Sequence, residues 1–136
     1  MARPSTSIFP PVSRPCNAIT VVVVDDDASF RSGVAANLED DGHRVYAYED
    51  PADVPESNLD AAQVVLSDYQ MAAIDGITFA DRVHARRPEV HVVLTTAYWT
   101  AEMEAEVAAR PFLRLCRKPV DYDELHAIAH ELAAGE

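Results

Sequence analysis

The sequence predicts an α/β domain: a doubly wound, five-stranded parallel sheet of order 2-1-3-4-5 flanked by five helices. Three observations carry this. Short runs rich in β-branched residues alternate with longer runs whose apolar residues fall at helical spacing, the pattern of successive βα units. Three of the short runs are continuously apolar, VVVV at 21–24, VVL at 64–66 and VVL at 92–94, as parallel strands covered on both faces require. Acidic, hydroxyl and basic residues follow the ends of four different strands, at the edge where such a sheet binds its ligands.

Taken in order, the strands are expected at Ile19 to Val24, Arg44 to Tyr48, Gln63 to Ser67, Val90 to Thr95 and Phe112 to Cys116. The first helix runs from about Ala28 to Asp40, because Phe30, Val34 and Leu38 repeat every four residues and Asp41-Gly42 supplies a stop. In the second connection, Asp50-Pro51 reads as an N-cap with proline at the first helical position, and Pro55 should limit the helix to one turn. Asp75-Gly76 reads as a turn and helix start, followed by the inward stripe of Ile77, Ala80 and Val83. The fourth helix, about Trp99 to Ala109, has only Met103 and Val107 as anchors and carries Glu102 and Glu106 as a like-charge pair, so it should be the most loosely held. Leu125, Ile128, Ala129 and Leu132 give the fifth helix a clear apolar face.

A chain of 136 residues, 49% apolar, has the size and the core of a single domain. Its division is expected to be a proline-rich leader over residues 1–18 and one domain over 19–136. The formal net charge of -12 argues against an electrostatic grip on nucleic acid or on an anionic membrane, since both need clustered Lys and Arg. No stretch is long enough for a signal peptide or a membrane span. Cys16 and Cys116 make no disulfide framework, and Cys116 reads as a buried reduced thiol, consistent with the cytoplasm.

The strand ends bring together Asp25-Asp26-Asp27, Ser67-Asp68, Thr95-Thr96 and Arg117-Lys118-Pro119. Two carboxylates about 4 Å apart repel by roughly 4 kcal/mol at an effective dielectric near 20, so such a cluster calls for a cation. A few hard oxygen ligands with room for water suit Mg²⁺ better than Ca²⁺. Lys118 would act as a mobile point charge at the same rim.

With these positions in hand, the chain resembles a response-regulator receiver domain from Ile19 onward. Four motifs carry the resemblance in order: VVVVDDDASFR at 21–31, VVLSDYQMAAIDG at 64–76, VVLTTA at 92–97 and CRKPV at 116–120. The resemblance implies a flavodoxin-like fold and a phosphoryl-accepting function. By position, Asp68 matches the phosphoacceptor; Asp26 a direct Mg²⁺ ligand and Asp25 one acting through water; and the Gln70 backbone carbonyl the remaining protein ligand. Thr96 and Lys118 match the hydroxyl and ammonium that meet the arriving phosphoryl group, and the Lys118-Pro119 peptide is one the family often holds cis. The implied donor is a sensor histidine kinase or a histidine phosphotransfer protein. The implied output is a downstream protein or a homodimer, through the face made by helix 4, strand 5 and helix 5. A stand-alone regulator, a relay intermediate and a receiver cut from a larger protein all stay open.

The sequence departs from the family pattern at three places. Ala72 replaces a usual proline, Leu115 stands where an aromatic switch residue is common, and Tyr98 with Gln70 flanks the phosphoryl position. A bulky Tyr98 would hinder attacking water and slow self-dephosphorylation. Two other functions compete: a haloacid-dehalogenase-like phosphatase with Asp25 as nucleophile, drawn from the Asp-x-Asp spacing, and a receiver-like interaction module that takes no phosphate. Several residues also have plain structural readings. Asp27 caps the first helix, Thr96 caps the fourth alongside its other role, and His126 with His130 line a solvated helix face.

Overall fold

The structure, a computed structural model, describes residues 18–71 and 74–134. Residues 1–17 of the expected leader, Cys16 among them, lie outside the described residues, as do Ala72 and the side chain of Leu132.

Five parallel strands form one sheet: β1 (Thr20–Val24), β2 (Arg44–Tyr48), β3 (Val64–Asp68), β4 (His91–Thr96) and β5 (Leu113–Arg117). Their order is β2-β1-β3-β4-β5, as expected. The helices are α1 (Ala28–Asp40), α2 (Glu56–Ala61), α3 (Gly76–Arg86), α4 (Ala101–Ala108) and α5 (Tyr122–Ala134). Alternate strand residues feed two cores. Val21, Val23, Val64, Leu66 and Val93 pack with Val34 and Leu38 of α1 and Leu125 and Ala129 of α5. Val22, Val24, Val65, Val92 and Leu94 pack on the other face with Ile77, Phe79, Ala80 and Val83 of α3. The continuous valine run of β1 thus serves both faces, which is why its residues are buried without alternation.

Capping chemistry sets the helix starts. The Asp27 carboxylate accepts from the Ser29 and Phe30 amides, and the Asp75 carboxylate from the Thr78 amide. At the end of α1, Gly42 takes φ 94°, and the His43 amide donates to the Leu38 carbonyl, closing the helix with a left-handed residue as the Asp41-Gly42 pair predicts. Two expectations are corrected. Pro55 does not end the second connection after one turn: Asp50 caps a single 3₁₀ turn, Pro51–Asp53, and Pro55 then precedes α2, where its fixed φ and missing N–H are tolerated. Nor does Thr96 cap α4. The helix starts later than expected, and the Thr100 hydroxyl accepts from the Met103 amide. α4 buries Met103 alone, a stripe as thin as its sequence implies.

Gly76, the first residue of α3, is needed for a reason the turn motif does not reveal. A Cβ there would lie 2.7 Å from the Asp68 carbonyl oxygen, 2.9 Å from Tyr69 Cα and 3.1 Å from Leu94 Cδ2. The close approach lets the Gly76 amide donate to the Tyr69 carbonyl at 2.7 Å, tying α3 to the end of β3. Gly76→Ala is expected to cost about 1–3 kcal/mol, the usual effect of overpacking against backbone. Urea denaturation checks it, with a midpoint shift at unchanged slope.

Candidate functional site

Strand register assembles the site. Val24 pairs with Ser67, so Asp25 and Asp68 leave neighbouring strands at the same level. Asp68 pairs with Thr95 and Thr96 with Arg117, which places Thr96 and then Lys118 one step further out each time. Two backbone bonds hold this stagger: the Tyr69 amide donates to the Thr95 carbonyl and the Lys118 amide to the Thr96 carbonyl, both at 2.8 Å. The Lys118-Pro119 peptide is cis.

Oxygens of Asp25, Asp26 and Asp68 all lie within 4.8 Å of one another. Asp25 is only 1% exposed, Asp68 is partly buried and Asp26 faces solvent. The Lys118 ammonium sits 3.0 Å from Asp25 Oδ2 and 3.5 Å from Asp68 Oδ2. The other Asp25 oxygen accepts from the Asp27 amide at 2.9 Å, and Asp68 Oδ1 accepts from the Gln70 amide at 3.2 Å. Burial raises the Asp68 pKa above the ordinary carboxylate value; Lys118 opposes this and Asp25 adds to it. Burial alone would lower the Lys118 pKa, but the hydrogen bond and charge of Asp25, with the charge of Asp68, raise it, so the ammonium stays charged at neutral pH. Hard oxygen donors of this number and spacing fit a Mg²⁺ ion.

The other predicted residues lie on β4, β5 and the loop after β4. Thr96 is buried, and its hydroxyl is engaged with Tyr98, accepting from the amide and donating to the carbonyl, each at 3.0 Å. Tyr98 is 72% exposed at the rim. Its neighbour Trp99 donates to Glu104 at 2.6 Å, with the Arg117 guanidinium 4.9 Å from its ring. Leu115 is half-buried on β5, in register with Leu94. Two residues of α1 escaped the sequence reading. Lys118 Nζ lies 4.6 Å from the centre of the Phe30 ring, which gives the ammonium an aromatic floor. Arg31 donates to the Asp25 carbonyl at 2.6 Å and holds the end of β1. The spacing marks Phe30 as a helix-face residue, but only packing places Lys118 above it.

A doubly wound parallel sheet with three carboxylates and a lysine gathered at its carboxyl edge is the architecture of a phosphoryl-accepting signalling domain. Residues 21–130 match the response regulator receiver domain model, and the chain belongs to that family, the phosphorylatable module of two-component signalling. Among characterised proteins it is 30% identical over 123 residues to the transcriptional regulatory protein ZraR of Salmonella typhimurium, covering 86% of this chain and 28% of that one. It is 32% identical over 111 residues to the DNA-binding transcriptional regulator NtrC of Escherichia coli, covering 79% and 23%. The chain thus spans about a quarter of the length of these relatives. Among solved structures, the BeF3-activated DrrB receiver domain superposes with a TM-score of 0.77 at 22% identity, covering 86% of this chain and 98% of that one. NtrX from Brucella abortus superposes with a TM-score of 0.76 at 26% identity, covering 87% and 27%. Members of the family bind Mg²⁺ at the acidic pocket and take their phosphoryl group from histidine kinases or phosphotransfer proteins. Among the described residues, no helix is long and apolar enough to cross a membrane.

Proposed function

We propose that Asp68 is the phosphoacceptor, with Asp25, Asp26, Asp68 and the Gln70 carbonyl holding Mg²⁺ and Thr96 and Lys118 receiving the phosphoryl group. The observation that carries this reading is the ammonium of Lys118 set between Asp25 and Asp68, 3.0 and 3.5 Å away, beside the exposed carboxylate of Asp26. An Asp68 oxygen attacks the phosphorus of a phosphohistidine in line; the new P–O bond forms as the P–N bond breaks, and the imidazole leaves with the electron pair. Lys118 stabilises negative charge on the transferring oxygens. When bound, Mg²⁺ supplies further neutralisation of that charge. The Gln70 amide orients the nucleophile through its bond to Oδ1, leaving the Lys118-facing oxygen for attack.

The phosphoryl group adds about -1.5 to -2 charges and three acceptor oxygens to the rim. The Thr96 hydroxyl then exchanges its Tyr98 partners for a phosphoryl oxygen, which draws the β4–α4 loop inward. Through α4, β5 and α5 this switches contact with a downstream protein or a second copy, and a near-complete switch requires about 5.5 kcal/mol of differential interaction. Leu115 leaves that route without an aromatic gate. The phosphatase alternative finds no support: the Asp25 side chain is buried at 1% exposure, whereas Asp68 is partly open to an incoming donor. Mass spectrometry after incubation with Mg²⁺ and a small-molecule phosphodonor tests the proposal. One acid-stable, base-labile phosphoryl adduct is expected; its absence, with no Mg²⁺-dependent response to beryllofluoride, would favour the interaction-module reading instead.

Tyr98 stands where water must approach the acyl phosphate. Tyr98→Ala is expected to shorten the phosphorylated lifetime between about two-fold and ten-fold, up to about 1.4 kcal/mol on the barrier. Following loss of the adduct with time checks it, and an unchanged lifetime would remove Tyr98 from this role.

A further inference from the structure

At the opposite end of α1 from the acidic crevice, three imidazoles converge on one carboxylate. Asp41 Oδ2 lies 3.3 Å from His43 Nε2, 3.5 Å from His126 Nδ1 and 2.8 Å from His130 Nε2. The spacing of His126 and His130 on α5 matches a solvated face in the sequence, but both rings turn onto the α1–β2 turn. We propose that Asp41, His126 and His130 form a binding site for a divalent d-block cation of the zinc class, with His43 holding the carboxylate in place.

The roles follow from where the ring protons sit. His43 Nδ1 accepts a hydrogen bond from the Ile19 amide at 3.0 Å, so the neutral ring carries its proton on Nε2, the atom that faces Asp41. That nitrogen has no lone pair to offer a metal. His43 is therefore a positioning residue, an outer-shell donor that orients a ligating carboxylate from a buried, fixed ring. His126 and His130 sit one helical turn apart and present ring nitrogens to the same oxygen, the arrangement of two imidazoles plus a carboxylate. Zinc bonds to nitrogen and oxygen of about 2.0–2.2 Å set ligand atoms about 3.4 Å apart in a tetrahedral site. The separations of 3.5 and 2.8 Å from Asp41 to the two rings bracket that edge. The edge between the two rings is wider, since the ligand atoms within 4.8 Å of one another here are those of Asp41, His43 and His130, so the His126 ring must swing toward His130 as an ion binds. The exposed flank of His130 leaves the fourth position to water. Imidazole-rich donors select zinc-class ions over Mg²⁺, whereas the crevice around Asp68 offers oxygen alone, so the two sites differ in kind.

Isothermal titration of the full chain with Zn²⁺ in saturating Mg²⁺ tests this, comparing wild type with the His126→Gln/His130→Gln pair, Asp41→Asn and Asp26→Asn. One Zn²⁺ site is expected in wild type, weakened at least about ten-fold in the histidine pair and in Asp41→Asn, and kept in Asp26→Asn. Far-UV circular dichroism establishes that each variant is folded. In the wild type, Zn²⁺ should shift the ring resonances of His126 and His130 in a histidine-selective NMR spectrum, a readout that does not depend on any variant. The proposal is overturned if wild type takes up no Zn²⁺, if affinity survives in the histidine pair, if it is lost in Asp26→Asn, or if those resonances do not move. The Asp26→Asn arm also separates this site from the phosphoacceptor crevice.

Discussion

Asp68→Asn is expected to abolish the phosphoryl adduct completely while making the protein more stable in Mg²⁺-free buffer. The first effect follows from chemistry, since a carboxamide cannot form the acyl phosphate. The second follows from the environment: burial, with Asp25 nearby, raises the pKa of Asp68 even against the pull of Lys118, so the folded state prefers this group uncharged. With the folded pKa above the ordinary value of 3.8, the native state binds more protons than the unfolded chain in the window just above that value. Stability therefore falls as pH rises through the window, and the neutral isostere escapes the loss. Thermal melts from pH 4 upward without Mg²⁺ should show the wild type losing stability relative to Asp68→Asn as pH rises. Mg²⁺ should narrow the gap by stabilising the wild type. A variant less stable than wild type at neutral pH without Mg²⁺ would show that the carboxylates are not in net conflict.

Lys118→Met is expected to cost about 3 kcal/mol of stability and to reduce phosphoryl uptake severely. The methionine keeps an apolar stem over Phe30, so what is removed is the charge. Asp25, at 1% exposure, then retains the Asp27 amide but has no cation beside its other oxygen. An unpaired buried charge is among the costliest single changes a fold can suffer, and the open mouth on the Lys118 side puts the estimate at the low end of its range. The linkage sign agrees: the raised pKa of Lys118 means its contribution is fully present below 10.5 and is lost as pH rises through the still higher folded value. A double-mutant cycle isolates the pair, because Asp25→Asn should recover most of the stability lost in Lys118→Met without restoring phosphorylation. Denaturant titrations of the four proteins measure the coupling, and additive losses would show that the two residues do not interact.

Much of the fold was legible because its causes are local. Apolar runs at 21–24 and 64–66 specify doubly covered strands, Asp27 and Asp75 cap the helices they precede, and Gly42 ends α1. The two corrected elements are cases where two local signals compete. Pro55 stops one turn but also starts the next helix, and Thr96 and Thr100 both offer a hydroxyl ahead of α4. There the backbone path between β4 and α4 chooses, and the sequence does not display that path.

The same division runs through the sites. By itself the sequence determined that Asp25, Asp26, Asp68, Thr96 and Lys118 share one rim, because each follows a strand and a parallel sheet aligns its strand ends. Only the tertiary structure decided what those groups rest on and which oxygens are already taken: the Phe30 ring beneath Lys118, the Arg31 bond to the Asp25 carbonyl, and the Thr96 hydroxyl turned to Tyr98. It alone also brought His126 and His130 to Asp41, across the packing of α5 against α1. Strand ends are aligned by backbone hydrogen bonds whose register repeats from residue to residue. The meeting of side chains 89 positions apart depends instead on how two helices settle on a sheet, and no spacing along the chain records it.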